Sequence, residues 1–395
     1  MLESSRIIES TARAAYGRLL AWLAARTRDV AAAEDALADA FAAALRTWPT
    51  QGVPDRPEAW LLTAARRRLT DQARHARVRA GAATALIELA EQRAAPAPAF
   101  PDERLALLFV CAHPAIDPAA RTPLMLQCVL GLDAARIAAA FLESPAAMGQ
   151  RLSRAKAKIR GAGIRFAVPE PADLPARLPA VLEAIYAAFT TGWNDGAHAS
   201  RRDLAGEAIF LGRVLVQHLP AAPEARGLLA LMLLAAARHP ARRDAAGRFV
   251  PLAEQDPALW HAPLVAEGMA QLAQAATANA PGRFQLEAAI QALHCTRPTD
   301  WHAVALLYEG LLAHAPTLGV RVGRAAAVAE AQGPAHGLAL LDAIEGADAY
   351  QPWWAVRAHL LAALGQDPTE AARQAIALAD DPAVRAWLAE RYRIA

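Results

Sequence analysis

The chain has few cysteines and lacks the short motifs of common enzymes. Its 395 residues contain three cysteines, Cys111, Cys128 and Cys295, and none of them lies in a Cys-x-x-Cys pair. Such a sparse, odd set argues against a disulfide framework. There is no Gly-rich phosphate loop, GxSxG or HExxH motif, and no second Cys/His pair at zinc spacing accompanies Cys111 and His113. The sequence therefore predicts a protein that is not an enzyme and needs no metal or other cofactor.

Long uncharged apolar runs are missing as well. No run reaches the ~18 residues of a membrane-spanning helix. The N-terminal sequence MLESSRIIES lacks the basic and then apolar layout of a signal peptide. We therefore expect a cytoplasmic protein with no membrane partner.

The patterning that is present is helical. The chain is 55% hydrophobic, and its apolar residues recur at spacings of three and four, whereas strand-like alternation is missing. These features predict an all-α protein, and Pro-rich stretches near 95–101 and 169–175 predict its boundaries. The predicted parts are a helical bundle at 1–80, a linker at 81–101, a helix-turn-helix domain at 102–168 and a helical repeat domain at 174–395.

Positive charge is concentrated at the front of the chain. Residues 1–165 contain 23 Lys+Arg and 16 Asp+Glu, whereas the remainder contains 18 and 23. This asymmetry favours a front part that binds nucleic acid. It also raises the alternative that the acidic back part folds over the basic front and masks it. Such masking would need direct contact, because salt screens charges beyond about 10 Å at 0.1 M.

The most basic stretch is 64–79, which reads AARRRLTDQARHARVR. It holds six arginines and one histidine against a single acid. A helix with this charge faces either a polyanion or water. We predict that it contacts DNA through Arg66, Arg67, Arg68, Arg74 and Arg77.

The strongest local motif is a helix-turn-helix at 133–160. Ser144 is a predicted N-cap and Pro145 fits the first position of the helix that follows. In such motifs the second helix enters the major groove with its N-terminal residues facing the bases. The alternative is an ordinary helical hairpin with a solvated basic face. The predicted DNA contacts, first with base edges and then with phosphates, are Gln150, Arg151, Arg154, Lys156 and Lys158.

A second, acidic helix is predicted at 29–48. Its acidic edge carries Glu34, Asp35 and Asp39. This pattern fits a docking helix for a basic partner surface, and it equally fits an ordinary amphipathic core helix. Composition does not choose between the two.

The back part of the chain shows a weak internal repeat. The segments that begin at Ala331 and Ala363 each have a helix end at glycine (Gly333 and Gly365), a short turn and a helix of small residues. Their offset of about 32 residues is near the tetratricopeptide period of ~34. The sequence thus predicts a tetratricopeptide-like helical array.

With these motifs in view, the chain resembles a bacterial extracytoplasmic-function (ECF) sigma factor of the group with a tetratricopeptide-like C-terminal extension. The segment AEDALADAF resembles the part of sigma region 2 that binds the clamp helices of the RNA polymerase beta-prime subunit. RPEAWLLTAARRRLTDQAR resembles the part that melts and reads the minus-10 element. The loop 49–57 matches the family's specificity loop. GLDAARIAAAFLESPAAMGQRLSRAKAKIR resembles region 4, which reads the minus-35 element.

The resemblance implies partners and sites. It implies core RNA polymerase, contacted at the clamp helices and the beta flap, and promoter DNA, with a possible regulatory protein or ligand at the C-terminal domain. The implied polymerase contacts are Asp35, Leu37, Asp39 and Phe41.

The chain also departs from the family pattern. Arg67 stands where the family usually has Asn, Ala38 where it has Gln, and Gly149 where Ala is usual. Two alternatives therefore stay open. One is a free-standing helix-turn-helix regulator with a helical-repeat effector domain, and the other is a tetratricopeptide-like scaffold with a degenerate sigma front.

Overall fold

The fold is taken from a computed structural model, which describes residues 2–80, 103–141, 143–194 and 204–394. The predicted linker at 81–101 lies outside the described residues. The described part is helical, and its only β-type pairing is a single bridge between Arg243 and Phe249. The predicted all-α class is confirmed. The chain divides into two compact units, Met1–Leu211 and Gly212–Ala395.

Three helices form what we call the front bundle: α1 (Leu2–Thr27), α2 (Val30–Gln51) and α3 (Pro57–Ala80). Asp29 is the N-cap of α2, since its carboxylate accepts a hydrogen bond from the Ala32 amide at 3.1 Å. A stripe at spacings of three and four then buries one face of α2. The buried residues are Val30, Ala33, Ala36, Leu37, Ala40, Ala44 and Trp48.

The end of α2 lies three residues beyond the predicted end at Trp48. Pro49 is inside the last turn, and the helix stops where Gly52 adopts a φ of 85° and donates its amide to the Trp48 carbonyl at 3.1 Å. A positive φ suits glycine, which has no Cβ. Trp48 is buried and meets Trp60 of α3 edge to face at 5.4 Å. The connection between the two helices is therefore a short loop anchored at both ends.

Four helices form what we call the rear bundle of the first unit: α4 (Arg104–Cys111), α5 (Pro118–Cys128), α6 (Ala134–Ala140) and α7 (Pro145–Gly161). Side chains cap three of these helices, because Asp117, Asp133 and Ser144 each accept a backbone hydrogen bond in the first turn. The Ser144 cap and Pro145 at the first position of α7 match the sequence prediction. The rear bundle packs on the front bundle through contacts of α4 with α1 and of α7 with α2.

Two further helices belong at least partly to the first unit. α8 (Leu174–Asn194) packs on α4 and α5, and α9 (Leu204–His218) spans the division between the units. Arg104 of α4, with only 8% of its side chain exposed, forms an ion pair with Glu207 of α9. The same guanidinium lies 5.0 Å from the ring centre of Phe210. The rear bundle is thus held by chain from beyond its predicted end at 168.

The second unit is a succession of helices in which sequence neighbours pack on each other. Gly333 ends one helix at a φ of 104° and begins the next, so this turn occupies a single residue. The helices are α10 (Pro223–Ala237), α11 (Ala262–Ala276), α12 (Arg283–His294), α13 (Trp301–His314), α14 (Leu318–Gln332), α15 (Pro334–Asp342), α16 (Gln351–Ala363), α17 (Thr369–Ala377) and α18 (Pro382–Tyr392).

A buried histidine marks the end of α12. His294 is 9% exposed, its ring lies 5.5 Å from that of Trp301, and its Nδ1 is buried without a hydrogen-bond partner. Burial, together with the nearby charges of Arg238 and Arg297, lowers the pKa of His294 from 6.5 to about 4. The folded second unit therefore holds this imidazole in its neutral form at neutral pH.

Candidate nucleic-acid interface

The outward side of α7 carries three of the residues predicted to contact DNA. Gln150, Arg154 and Lys158 are all exposed, and they follow one another at intervals of four residues. Residues at this interval lie one above the other on the same face of a helix. The structure thus brings one amide and two cations together in a single stripe that starts near the N-terminus of α7.

The opposite side of α7 carries Lys156 and Arg160. Lys156 is about 200° around the helix from both Arg154 and Lys158, since each residue advances by about 100°. It is only 8% exposed, and its amine forms an ion pair with Glu34 of α2. In the folded first unit Lys156 is therefore turned away from the exposed stripe, although it is among the phosphate contacts predicted from the sequence.

Arg151 occupies an intermediate position. Its side chain is 25% exposed and forms an ion pair with Glu143 at 2.7 Å. Glu143 belongs to the turn before α7, so this pair braces the turn of the helix-turn-helix. Arg151 could reach a base only by exchanging that carboxylate for the base edge.

The predicted cations of α3 also differ in their surroundings. Arg67 and Arg74 are exposed. Arg66 is half-buried beside the ring of Trp22 at 5.6 Å, and Arg68 forms an ion pair with Asp39 of α2 at 2.7 Å. The side chain of Arg77 lies outside the described residues. Arg67 and Arg74 are thus the described α3 cations most open to a polyanion.

The predicted polymerase contacts on the acidic helix α2 divide into surface and core positions. Asp35 and Asp39 are exposed and Phe41 is half-buried, but Leu37 is 0% exposed. Leu37 belongs to the buried stripe of α2, so its side chain packs the core and is not available to a partner. The docking surface predicted on α2 therefore excludes Leu37.

One exposed apolar residue of α2, Leu45, is not among the site residues predicted from the sequence. Leu45 is 52% exposed, and it is one of five large apolar side chains that are exposed among the described residues. It follows Phe41 by one turn of the helix and lies about 100° around the helix from Ala44, at the edge of the buried stripe. The signal was present in the sequence, because position 45 falls outside the spacing that generates that stripe. Asp35, Asp39, Phe41 and Leu45 together form what we call the outer face of α2.

The second unit contains a cavity of about 260 Å³. Aromatic rings of Trp301, Trp387 and Tyr392 line it, together with Glu330 and His359. His359 and Glu330 approach each other at 3.9 Å. The cavity is smaller than the ≈ 300–1,000 Å³ of most small-molecule sites.

Comparisons with known protein families match two parts of the chain. Residues 12–79, which span most of the front bundle, match sigma-70 region 2. Residues 177–276 match a family of unknown function, DUF6596. No solved structure matches the chain. The helices in the described residues include none that is long and apolar enough to cross a membrane.

The match to sigma-70 region 2 supports a sigma-factor-like role in transcription initiation. Sigma-70 factors are a family of non-enzymatic transcription factors, and their region 2 interacts in general with core RNA polymerase and promoter DNA. An uncharacterized protein of Rhizobium meliloti (strain 1021) is 37% identical to the chain over 396 residues, covering 95% of this chain and 91% of the relative. The chain belongs to the same family as this protein.

Proposed function

We propose that the protein is an ECF-type sigma factor that binds core RNA polymerase in the cytoplasm and directs it to promoters. The observation that carries the proposal is the pairing of a sigma region 2 with a helix-turn-helix whose second helix presents Gln150, Arg154 and Lys158 outward. In this proposal the rear bundle is sigma region 4. Two separate DNA-binding elements are what a factor needs to recognise two promoter elements.

In this proposal the two bundles have different roles in polymerase binding and promoter recognition. The outer face of α2 docks on the polymerase clamp helices, while Arg67 and Arg74 of α3 contact the minus-10 element. The exposed stripe of α7 reads the minus-35 element, with Gln150 nearest the bases and the two cations on phosphates. The rear bundle also docks on the beta flap.

The C-terminal part braces the DNA-binding part in this proposal. Helix α8 packs on α4 and α5, and the Arg104–Glu207 ion pair joins α4 to α9. The later helices form a tetratricopeptide-like array. The aromatic cavity beside Glu330 is the place in this array that would take a regulatory ligand.

The test is run-off transcription with bacterial core polymerase on DNA from upstream of the protein's own gene. We expect a transcript with a defined start. The double variant R154A/K158A should abolish it and reduce the slope of log affinity against log salt by roughly 2, since each lost phosphate contact removes about 0.9. The matched control is R321A/R373A, which removes the same charge from exposed positions of the second unit and should change neither result.

Other outcomes would identify the alternatives. Binding of duplex DNA without polymerase, combined with no transcript, would favour the free-standing regulator. Failure to bind both core polymerase and DNA would favour the scaffold with a degenerate sigma front.

The outer face of α2 makes a separate prediction about Leu45. Replacing this exposed leucine by alanine should change stability by no more than about 0.5 kcal/mol, yet weaken binding to core polymerase by about 5- to 10-fold, the equivalent of about 1 kcal/mol. Leu37→Ala is the contrasting variant, because emptying a fully buried site costs about 2–5 kcal/mol of folding stability. Polymerase affinity by biolayer interferometry and urea unfolding separate the two. Equal affinity of Leu45→Ala and the wild type would remove Leu45 from the interface.

A further inference from the structure

The inner side of α7 and one side of α2 form a charged contact between the two bundles. Lys156 pairs with one carboxylate oxygen of Glu34, and the other oxygen accepts a hydrogen bond from the Tyr16 hydroxyl at 3.3 Å. One turn along α7, Arg160 pairs with Asp29 at 3.1 Å. The Asp29 and Glu34 side chains are only 17% and 22% exposed. Two cations of the recognition helix are thus matched to two largely buried acids.

A backbone contact lies beside this charged pair. Gly17 of α1 faces Val129, which follows α5, and a Cβ added at Gly17 would lie 1.8 Å from the Val129 carbonyl oxygen. No side chain fits at such a distance. Glycine is unfavourable inside a helix by roughly 0.5–1 kcal/mol relative to alanine. Its presence in α1 is explained by the close approach of the two bundles.

This arrangement is too compact for simultaneous binding of two promoter elements. Packed helices lie 8–10 Å apart, and α2 packs on both α3 and α7. The two DNA-binding helices are therefore within about 20 Å of each other near their common neighbour. Elements centred at minus 35 and minus 10 are about 25 base pairs apart, or about 85 Å of duplex. The bundles must separate before both elements can be engaged.

We propose that Lys156–Glu34, Arg160–Asp29 and the Gly17–Val129 contact form a latch that holds the recognition helix on α2 in the free protein. The proposal rests on the proposed function for the meaning of the open state, but the latch itself is a property of the isolated chain. Opening it separates Lys156 and Arg160 from the carboxylates of α2 and frees the rear bundle to move away from the front bundle.

The sequence supplies a direct probe of this latch. Lys156 and Lys158 are the only lysines in the chain, and cleavage at arginine places both in one peptide, AKAKIR. Lys158 is exposed, whereas Lys156 is buried in the ion pair. Acylation of the full-length protein by an amine-reactive ester, followed over time by mass spectrometry, reports both sites. Lys158 serves as an internal reference on the same helix.

We expect Lys156 to be acylated about tenfold or more slowly than Lys158, which corresponds to about a tenth or less of the molecules being open. Glu34→Gln keeps the volume and the acceptor for Tyr16 but removes the charge, and Gly17→Ala inserts the methyl group that the contact excludes. Both should bring the rate at Lys156 to within about twofold of that at Lys158. Circular dichroism checks that each variant is folded.

Two matched controls accompany these variants. Asp35→Asn removes an exposed charge one residue from Glu34, and Gly149→Ala adds a methyl group to α7 at a position with no atom within 4 Å. Neither should change the rate at Lys156. Equal rates at Lys156 and Lys158 in the wild type, or protection that survives both Glu34→Gln and Gly17→Ala, would overturn the latch.

The latch and the proposed function fail separately. A protected Lys156 that both variants expose, in a protein that gives no run-off transcript, would keep the latch and refute the sigma-factor proposal. A defined transcript from a protein whose two lysines react equally would do the reverse.

Discussion

A chain that ends at Val168 is expected to lose transcription rather than gain it. The cut removes α8, whose buried residues Val181, Leu182, Ile185 and Phe189 are at most 4% exposed. Each such side chain contributes roughly 1.5–3 kcal/mol when fully buried. Their sum is comparable to the 5–15 kcal/mol of a whole domain. Without α8, the apolar surfaces of α4 and α5 that it covers become exposed, and the rear bundle should unfold or aggregate.

The matched truncation ends at Leu219. It keeps α8, the whole of α9 and the Arg104–Glu207 ion pair, so the rear bundle should remain folded. Limited proteolysis and circular dichroism compare the two chains, and run-off transcription compares their activity. Folded protein and higher activity from the chain that ends at Val168 would contradict the bracing role and favour masking by the C-terminal part. The Leu219 chain alone then reports what the second unit adds.

Acidification is expected to destabilise the second unit through His294. Its pKa is about 4 in the folded protein against 6.5 when exposed, so folding favours the neutral ring. The stabilisation is complete above pH 6.5 and is lost as the pH falls towards 4. Linkage gives a loss of ~2 kcal/mol at pH 5 and ~3 kcal/mol near pH 4. The cause is burial, reinforced by the charges of Arg238 and Arg297.

Replacing His294 by leucine should remove this part of the pH dependence. The measurement is hydrogen exchange of α12 and α13 at pH 7 and pH 5, corrected for intrinsic rates, because it isolates the second unit from the first. His302→Leu is the control, since His302 is exposed on the neighbouring helix. If His294→Leu loses as much protection between the two pH values as the wild type, the buried imidazole is not the source.

Most of the helical architecture could be predicted from the sequence. Periodicity predicts the all-α class, and local chemistry predicts Ser144 as a cap, because a cap depends on residues within one turn. The end of α2 was less predictable. A proline in the last turn of a helix removes one hydrogen bond but does not end the helix. The helix α2 ends instead at Gly52.

The surroundings of the candidate site were less accessible to sequence reasoning. A helical projection would have shown Lys156 on the side opposite Arg154, and Leu37 inside the buried stripe of α2. The partner of Lys156 could not be found in this way, since Glu34 is 122 residues away and nothing local links the two. Gly17 is a similar case, because the group that excludes a side chain at this position is the Val129 carbonyl of the rear bundle.

The two sides of α7 also differ in how freely their residues can be substituted. Gln150, Arg154 and Lys158 are exposed on the outward side, whereas Lys156 and Arg160 form ion pairs with acids at α2. In the proposed function, mutations on the outward side therefore alter which DNA sequence is read and leave the contact between α7 and α2 unchanged. Descendants of such a protein could acquire new target sequences by drift at a few positions, while the positions on the inner side would have to change together with α2.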